Sequence, residues 1–310
     1  MIKDIKGLHH VTSMAAYAQT NNTFFTRTLG LRRVKKTVNF DAPEIYHLYY
    51  GDEVGTPGSV MTYFPFGQMP RSRRGVGEVG VTEFAVPKGS LGFWSTHLAG
   101  QGVTGITESM SFGESRLSFD GPDGDGFALV ETEARDRTAW TGNGIGSDVG
   151  VLGFNGARFS LRNADATGEL LEFMGYQKAD TESGVTRYLV EGGNAADTID
   201  LEEHSDAPAA GGGAGSVHHI AFAVEDRAAQ LRVRDQLLDT GYQVTPVIDR
   251  DYFWAIYFRT PGGVLFEIAT NEPGFDRDED TKHLGQALKL PTRYEPHRAR
   301  IEALLPPLAA

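Results

Sequence analysis

The chain has 310 residues, 40% of them hydrophobic and 23% charged, with no cysteine and a formal net charge of −12. That length supports a large core and about two domains, and the lack of cysteine excludes disulfides, zinc–thiolate sites, iron–sulfur clusters and a thiol nucleophile. The acidic balance opposes binding to nucleic acid or an anionic membrane. The apolar runs are too short and charge-broken for a transmembrane helix, so a cytoplasmic location is the default expectation.

In chain order, strand-like alternating runs lie at 8–14, 79–86, 156–161 and 217–224. Each precedes a helix-like stretch, and these end alike: Thr28-Leu29-Gly30-Leu31, Leu98-Ala99-Gly100-Gln101, Phe173-Met174-Gly175-Tyr176 and Asp239-Thr240-Gly241-Tyr242. The glycine in each suits the left-handed residue that closes a helix. Further strands follow each helix, the last at 60–64, 127–131, 198–202 and 264–268. The unit is therefore strand, helix and three strands, a βαβββ module repeated four times, which is an α+β pattern. The Gly-rich stretch 141–147 separates the second and third modules, and the Ala/Gly-rich stretch 206–216 the third and fourth. The expected organisation is an N-terminal domain over 1–140 with modules 1 and 2, a C-terminal domain over 150–275 with modules 3 and 4, and a tail over 276–310. The tail carries a helix at 297–305, stopped by Pro306-Pro307. Four such modules resemble the vicinal oxygen chelate superfamily, which includes glyoxalase I, extradiol dioxygenases and bleomycin-resistance proteins. The resemblance implies paired modules curled into two cup-shaped barrels, with metal ligands on first and last strands.

Two histidine pairs, His9-His10 and His218-His219, stand at the same point of modules 1 and 4. Aligning first strands by their helix starts matches His219 to His10, Val81 and Gly156. Side chains alternate faces along a strand. The bulky face Ile220, Phe222, Val224 belongs against helices, which sends His219 into the cup, and the same register sends His10 and Thr12 inward. On the last strands, aligning Gly262-Gly263-Val264-Leu265-Phe266-Glu267 with Gly58-Ser59-Val60-Met61-Thr62-Tyr63 makes Tyr63 the counterpart of Glu267, and module 2 offers only Ala128. Modules 1 and 4 alone carry ligand types, so they are expected to pair into a metal-bearing cup, leaving modules 2 and 3 a metal-free one. His10, His219 and Glu267 form a two-histidine, one-carboxylate set. Such a set holds Fe(II) with positions open for substrate and O2, and Mn(II) accepts the same donors. The other histidines read as structural or surface residues, His47 in the strand 46–49 being the one placed to line a pocket.

Longer stretches are similar to the hydroquinone ring-cleaving dioxygenases of that superfamily. They include Leu8-His9-His10-Val11-Thr12, Ile45-Tyr46-His47-Leu48-Tyr49-Tyr50-Gly51-Asp52-Glu53, Tyr257-Phe258-Arg259-Thr260-Pro261-Gly262, and Leu284-Gly285-Gln286-Ala287-Leu288-Lys289-Leu290-Pro291. The resemblance implies Fe(II)- and O2-dependent cleavage of a 1,4-dihydroxybenzene beside a hydroxyl-bearing carbon. It implies catalytic roles for Tyr257, Arg250 and His218, and substrate contact or proton relay for His9 and Thr12. Simple alternation turns His9 and His218 away from the cup, and a β-bulge would bring them back. A glyoxalase-type lyase or isomerase, and a metal-free aromatic-binding protein, stand as the alternative functions. The partner is a small aromatic molecule, with a homodimer or higher homo-oligomer compatible with such folds.

Overall fold

The computed structural model describes residues 1–309. Module 1 comprises β1 (Leu8–Ala15), α1 (Ala18–Thr23, continued by a π-helical turn Phe24–Thr28), β2 (Arg32–Asn39), β3 (Ala42–Gly51) and β4 (Val60–Pro65). Module 2 comprises β5 (Glu78–Pro87), α2 (Leu91–Gly100), β6 (Thr107–Ser111), β7 (Glu114–Asp120) and β8 (Gly126–Thr132). Module 3 comprises β9 (Phe154–Leu161), α3 (Asp165–Phe173), β10 (Gln177–Glu182), β11 (Val185–Leu189) and β12 (Thr198–Glu203). Module 4 comprises β13 (Val217–Val224), α4 (Arg227–Asp239), β14 (Ile248–Asp249), β15 (Phe253–Arg259) and β16 (Leu265–Pro273), and α5 (Arg298–Leu304) lies in the tail.

The expected α+β architecture is present. Gly30, Gly175 and Gly241 take positive φ after their helices as the sequence suggests, whereas α2 runs through Gly100 and the left-handed residue is Gly102.

Two eight-stranded sheets result, ordered β14-β15-β16-β13-β1-β4-β3-β2 and β10-β11-β12-β9-β5-β8-β7-β6. The first joins module 4 to module 1 through antiparallel β1 and β13, and the second joins module 3 to module 2 through β9 and β5. Each sheet therefore combines modules from opposite halves of the chain. Phe222 and Phe266, with ring centroids 4.7 Å apart, pack on the face away from the cup. That packing leaves the alternate face of β13 and β16 to the interior.

The register corrects one alignment. Thr12 pairs with Thr62 on β4, while Ala221 pairs with Glu267 on β16. Because Thr12 and Ala221 each lie two residues beyond an inward histidine, the counterpart of Glu267 is Thr62, not Tyr63. Tyr63 points the other way, packing on Phe25 and donating its hydroxyl to Asp125 Oδ1 at 2.6 Å. A one-residue offset moves a side chain to the opposite face. The same reading in the second sheet makes Asp200, paired with Arg158, the counterpart of Glu267 in module 3. Module 3 thus does carry a ligand-type residue, contrary to the sequence expectation.

The tail binds the outer edge of module 1. Lys35, fully buried on β2, is held by Asp278 Oδ1 at 2.6 Å and Glu279 Oε2 at 2.5 Å. The Tyr294 hydroxyl donates to the Phe40 carbonyl at 2.7 Å, fixing the β2–β3 turn. The tail is thus a cap on that wall of the cup.

Candidate metal centre

The cup of the first sheet brings His10 from β1, His219 from β13 and Glu267 from β16 together, one ligand atom from each lying within 4.8 Å of the others. His10 Nε2 and His219 Nε2 are 3.3 Å apart and lie 3.3 Å and 2.9 Å from Glu267 Oε2. Donors bound at about 2.1 Å to one metal at right angles sit about 3 Å apart, so the spacing fits a cation between them. Glu267 is completely buried, and neither of its oxygens accepts a hydrogen bond. Burial opposes its ionisation, yet the two imidazoles outweigh burial and hold its pKa well below the usual carboxylate range. Burial lowers the His219 pKa, against the opposing pull of Glu267. An ionised carboxylate facing two imidazoles, with no Lys or Arg in ion-pair range among the described residues, is a donor set short of a positive charge.

The strand register explains how each histidine pair works. Along β1 and β13 the pairing skips His9 and His218, leaving one extra residue on each strand beside its ligand. These bulges turn His9 Nδ1 to His10 Nδ1 at 2.9 Å and His218 Nδ1 to His219 Nδ1 at 2.7 Å. The Nδ1 of each inward histidine is therefore partnered, the arrangement that would fix tautomer and ring orientation if Nε2 bound a metal. His9 lies behind His10. Its Nε2 meets the Thr270 carbonyl oxygen at 3.1 Å, and burial, then His10, lower its pKa to about 3. It does not line the pocket, nor does Thr12, whose hydroxyl is buried against Thr62. His218 is exposed at the pocket wall.

Above the cluster lies a cavity of about 230 Å³. Phe40, Phe64, Phe66 and Phe253 supply apolar wall, while His47, Tyr49, Arg250 and Tyr257 supply polar groups. The cavity is smaller than the ~300–1,000 Å³ typical of drug-sized ligand sites, which suits a single ring. Arg250 Nε donates to the Tyr257 hydroxyl at 3.2 Å, and Arg250 Nη1 to Asp41 Oδ2 at 3.0 Å. Burial, then the neighbouring Glu267 carboxylate, raise the Tyr257 pKa well above that of a free phenol, so it stays protonated. The sequence reading missed Tyr49, Asp41 and the phenylalanine walls. Alternation around His47, within the stretch 45–53, was the available signal for Tyr49. A larger cleft, about 1300 Å³, opens between the β3–β4 loop and segments 135–141 and 189–197, and holds no member of the His–His–Glu cluster.

Residues 153–268 match the Glyoxalase/Bleomycin resistance protein/Dioxygenase superfamily. Along its whole length the chain is similar to the “Putative ring-cleaving dioxygenase MhqO” of Bacillus subtilis (strain 168), at 43% identity over 99% of this chain and 98% of the relative. The chain belongs to this family of ring-cleaving dioxygenases. Another member, the chlorohydroquinone/hydroquinone 1,2-dioxygenase of Sphingobium indicum, is 34% identical over 94% of this chain and 93% of its own. A crystal structure titled “putative dioxygenase” from Bacillus subtilis superimposes with a TM-score of 0.95 at 42% identity, covering 99% of this chain and 98% of that one. The ring-cleaving dioxygenase fold, two curled sheets on the vicinal oxygen chelate plan, is thus shared from end to end. No described helix is long and apolar enough to cross a membrane.

Proposed function

We propose that the protein is an Fe(II)-dependent dioxygenase that opens substituted hydroquinones with O2, both oxygen atoms entering the product at the broken bond between a hydroxyl-bearing carbon and its neighbour. The observation that carries this reading is the buried cluster of His10, His219 and Glu267 at the floor of a one-ring pocket. Fe(II) bound there supplies adjacent coordination positions for a phenolic oxygen and O2 and an electron path between them; Mn(II) fits the same donors.

The chain's own residues do the rest. Glu267 contributes one negative charge, so a divalent ion beside it retains one positive charge, which a singly deprotonated phenol neutralises. His9 and His218 orient the ligand imidazoles through their Nδ1 contacts. The phenylalanine walls take the ring and exclude water. Arg250 and Tyr257, joined at 3.2 Å, present a fixed cation and a phenolic O–H beside His219, where they stabilise negative charge developing on oxygen. His218, at the pocket wall, is placed to pass a proton between pocket and solvent.

The test is oxygen consumption by Fe(II)-reconstituted protein with a panel of hydroquinones and catechols. Uptake on hydroquinones that disappears in His219→Ala is the expected result. Turnover without O2, or unchanged uptake in that variant, contradicts the reading.

A further inference from the structure

On the wall of the cup formed by module 1, four side chains make an unbroken hydrogen-bonded series. Thr12 Oγ1 lies 3.0 Å from Thr62 Oγ1, Thr62 Oγ1 2.6 Å from His47 Nε2, and His47 Nδ1 2.8 Å from the Tyr49 hydroxyl. The direction of the series follows from counting donors. Thr12 is completely buried, and Thr62 is its one side-chain partner among the described residues. A buried hydroxyl whose hydrogen meets no acceptor loses the full desolvation cost of that donor. Thr12 therefore donates to Thr62. Thr62 is equally buried, and His47 is its one other side-chain partner among the described residues, so it donates its own hydrogen to His47 Nε2 rather than strand it. Burial lowers the His47 pKa well below the usual value, so the ring is neutral and carries its single hydrogen on Nδ1. That hydrogen goes to the Tyr49 oxygen. Burial in turn raises the Tyr49 pKa well above that of a free phenol, so Tyr49 keeps a hydrogen that the series does not use. Tyr49 lines the metal pocket. The opposite direction would satisfy Tyr49 and strand the Thr12 hydrogen where neither water nor ligand reaches it.

The sheet register gives Tyr49 a counterpart. Tyr49 pairs with Thr62 as Tyr257 pairs with Glu267. The two tyrosines thus hold equivalent places on β3 and β15, the strands that flank the four central strands of the first sheet on either side. Tyr257 stands beside the ligand His219, with ring centroids 5.6 Å apart, whereas Tyr49 stands on the other wall with His47.

We infer that Tyr49 is a substrate-binding residue whose hydroxyl hydrogen, turned into the pocket by the Thr12–Thr62–His47 series, meets the second hydroxyl oxygen of a 1,4-dihydroxybenzene. Thr62 and His47 are positioning residues acting through it. This assignment rests on the hydroquinone reading above and adds a reason for the 1,4 pattern: one oxygen goes to the metal side of the ring and the other to Tyr49.

Two measurements test it. Long-range ¹H–¹⁵N correlation spectra of the ¹⁵N-histidine-labelled, metal-free full chain report the His47 tautomer without any turnover. A hydrogen on Nδ1 is expected; a hydrogen on Nε2 reverses the series and overturns the inference. Anaerobic titration of the Fe(II)-loaded protein with hydroquinone and with 4-methylphenol then compares Tyr49→Phe with wild type. Hydroquinone affinity should fall about tenfold, the weight of one neutral hydrogen bond, while 4-methylphenol affinity stays unchanged. Thr62→Val should reproduce that selective loss, and Thr62→Ser should restore it. Equal loss for both phenols, or none for hydroquinone, overturns the role of Tyr49 and leaves the hydroquinone reading standing. Failure of the wild-type protein to bind hydroquinone overturns both.

Discussion

The two cups share one strand plan and solve the same electrostatic problem in opposite ways. In the first, the inward residues of the central strands are His10 and His219, and the carboxylate beyond them, Glu267, faces only imidazole nitrogens. In the second, the matching places are Val81 and Gly156, and the matching carboxylate, Asp200, is gripped by Arg187 through Nε to Oδ1 at 2.9 Å and Nη2 to Oδ2 at 3.0 Å. Arg187 itself occupies the register position of Tyr257. Arg116 joins Glu83 and Glu114, and Arg158 stands 3.7 Å from Asp200, so three guanidinium groups balance three carboxylates. A buried carboxylate needs a compensating charge. One cup supplies it from its own arginines, and the other leaves it for a metal. Gly156 seals the difference: a Cβ there would lie 2.1 Å from the Thr198 carbonyl oxygen, so no histidine fits on that strand as it stands.

Breaking the ionic cup should show its role most plainly. Arg187→Ala strands Asp200 without its main partner, and losing one side of a buried pair costs about 3–5 kcal/mol. Differential scanning calorimetry should record a melting temperature lower by roughly 10 °C, with the metal content of the native protein unchanged. A loss of metal at constant stability would mean that the second cup is part of the site.

The joint between the cups carries the next effect. Asp125, just before β8, accepts the Tyr63 hydroxyl from β4 at 2.6 Å, and burial pushes its carboxyl up to about 6, above the ~3.9 of an unfolded aspartate. Between those values the folded protein binds more protons than the unfolded chain. The contribution is therefore fully present below pH ~4 and is lost, by roughly 3 kcal/mol, as pH rises through about 6. Asp125→Asn keeps an acceptor for Tyr63 and should flatten that decline in melts from pH 4 to 8. Identical slopes in both proteins would contradict the assignment.

Within the first cup, removing the bulge histidines should weaken metal affinity by about 10–100-fold each. His9→Ala and His218→Ala, titrated with Fe(II) under anaerobic conditions, test this. Wild-type affinity in both would reduce the pairs to packing. Arg250→Ala should lower turnover by about tenfold or more, the loss of a hydrogen bond from a charged group, while the protein keeps its metal. Unchanged turnover would retire the Arg250–Tyr257 pair from the chemistry.

The repeat made much of this legible beforehand. The four βαβββ modules, the pairing of module 1 with module 4, and the approach of His10, His219 and Glu267 all followed from matching short segments against one another. What escaped depended on register, which a sequence does not carry to a single residue. Matching Gly58 to Gly262 slipped β4 by one place and put Tyr63 where Thr62 belongs. Asp200 was passed over in the same way, its role fixed only by the pairing of β9 with β12. Arg187 lies on a strand with no motif of its own, and the stretch 45–53 around Tyr49 gave it no role, so only the hydrogen-bond ladder assigns them to a cup interior. The Phe40–Asp41 turn joins the pocket through contacts from a tail more than two hundred residues away, as in the Tyr294–Phe40 bond.

The most direct measurement is the stoichiometry of anaerobic Fe(II) binding in the wild-type chain, Glu267→Ala and Asp200→Ala. One metal per chain in the wild type, none in Glu267→Ala and one in Asp200→Ala is the result this account predicts. A second metal in the wild type, or metal retained after Glu267→Ala, would contradict the division of labour between the cups.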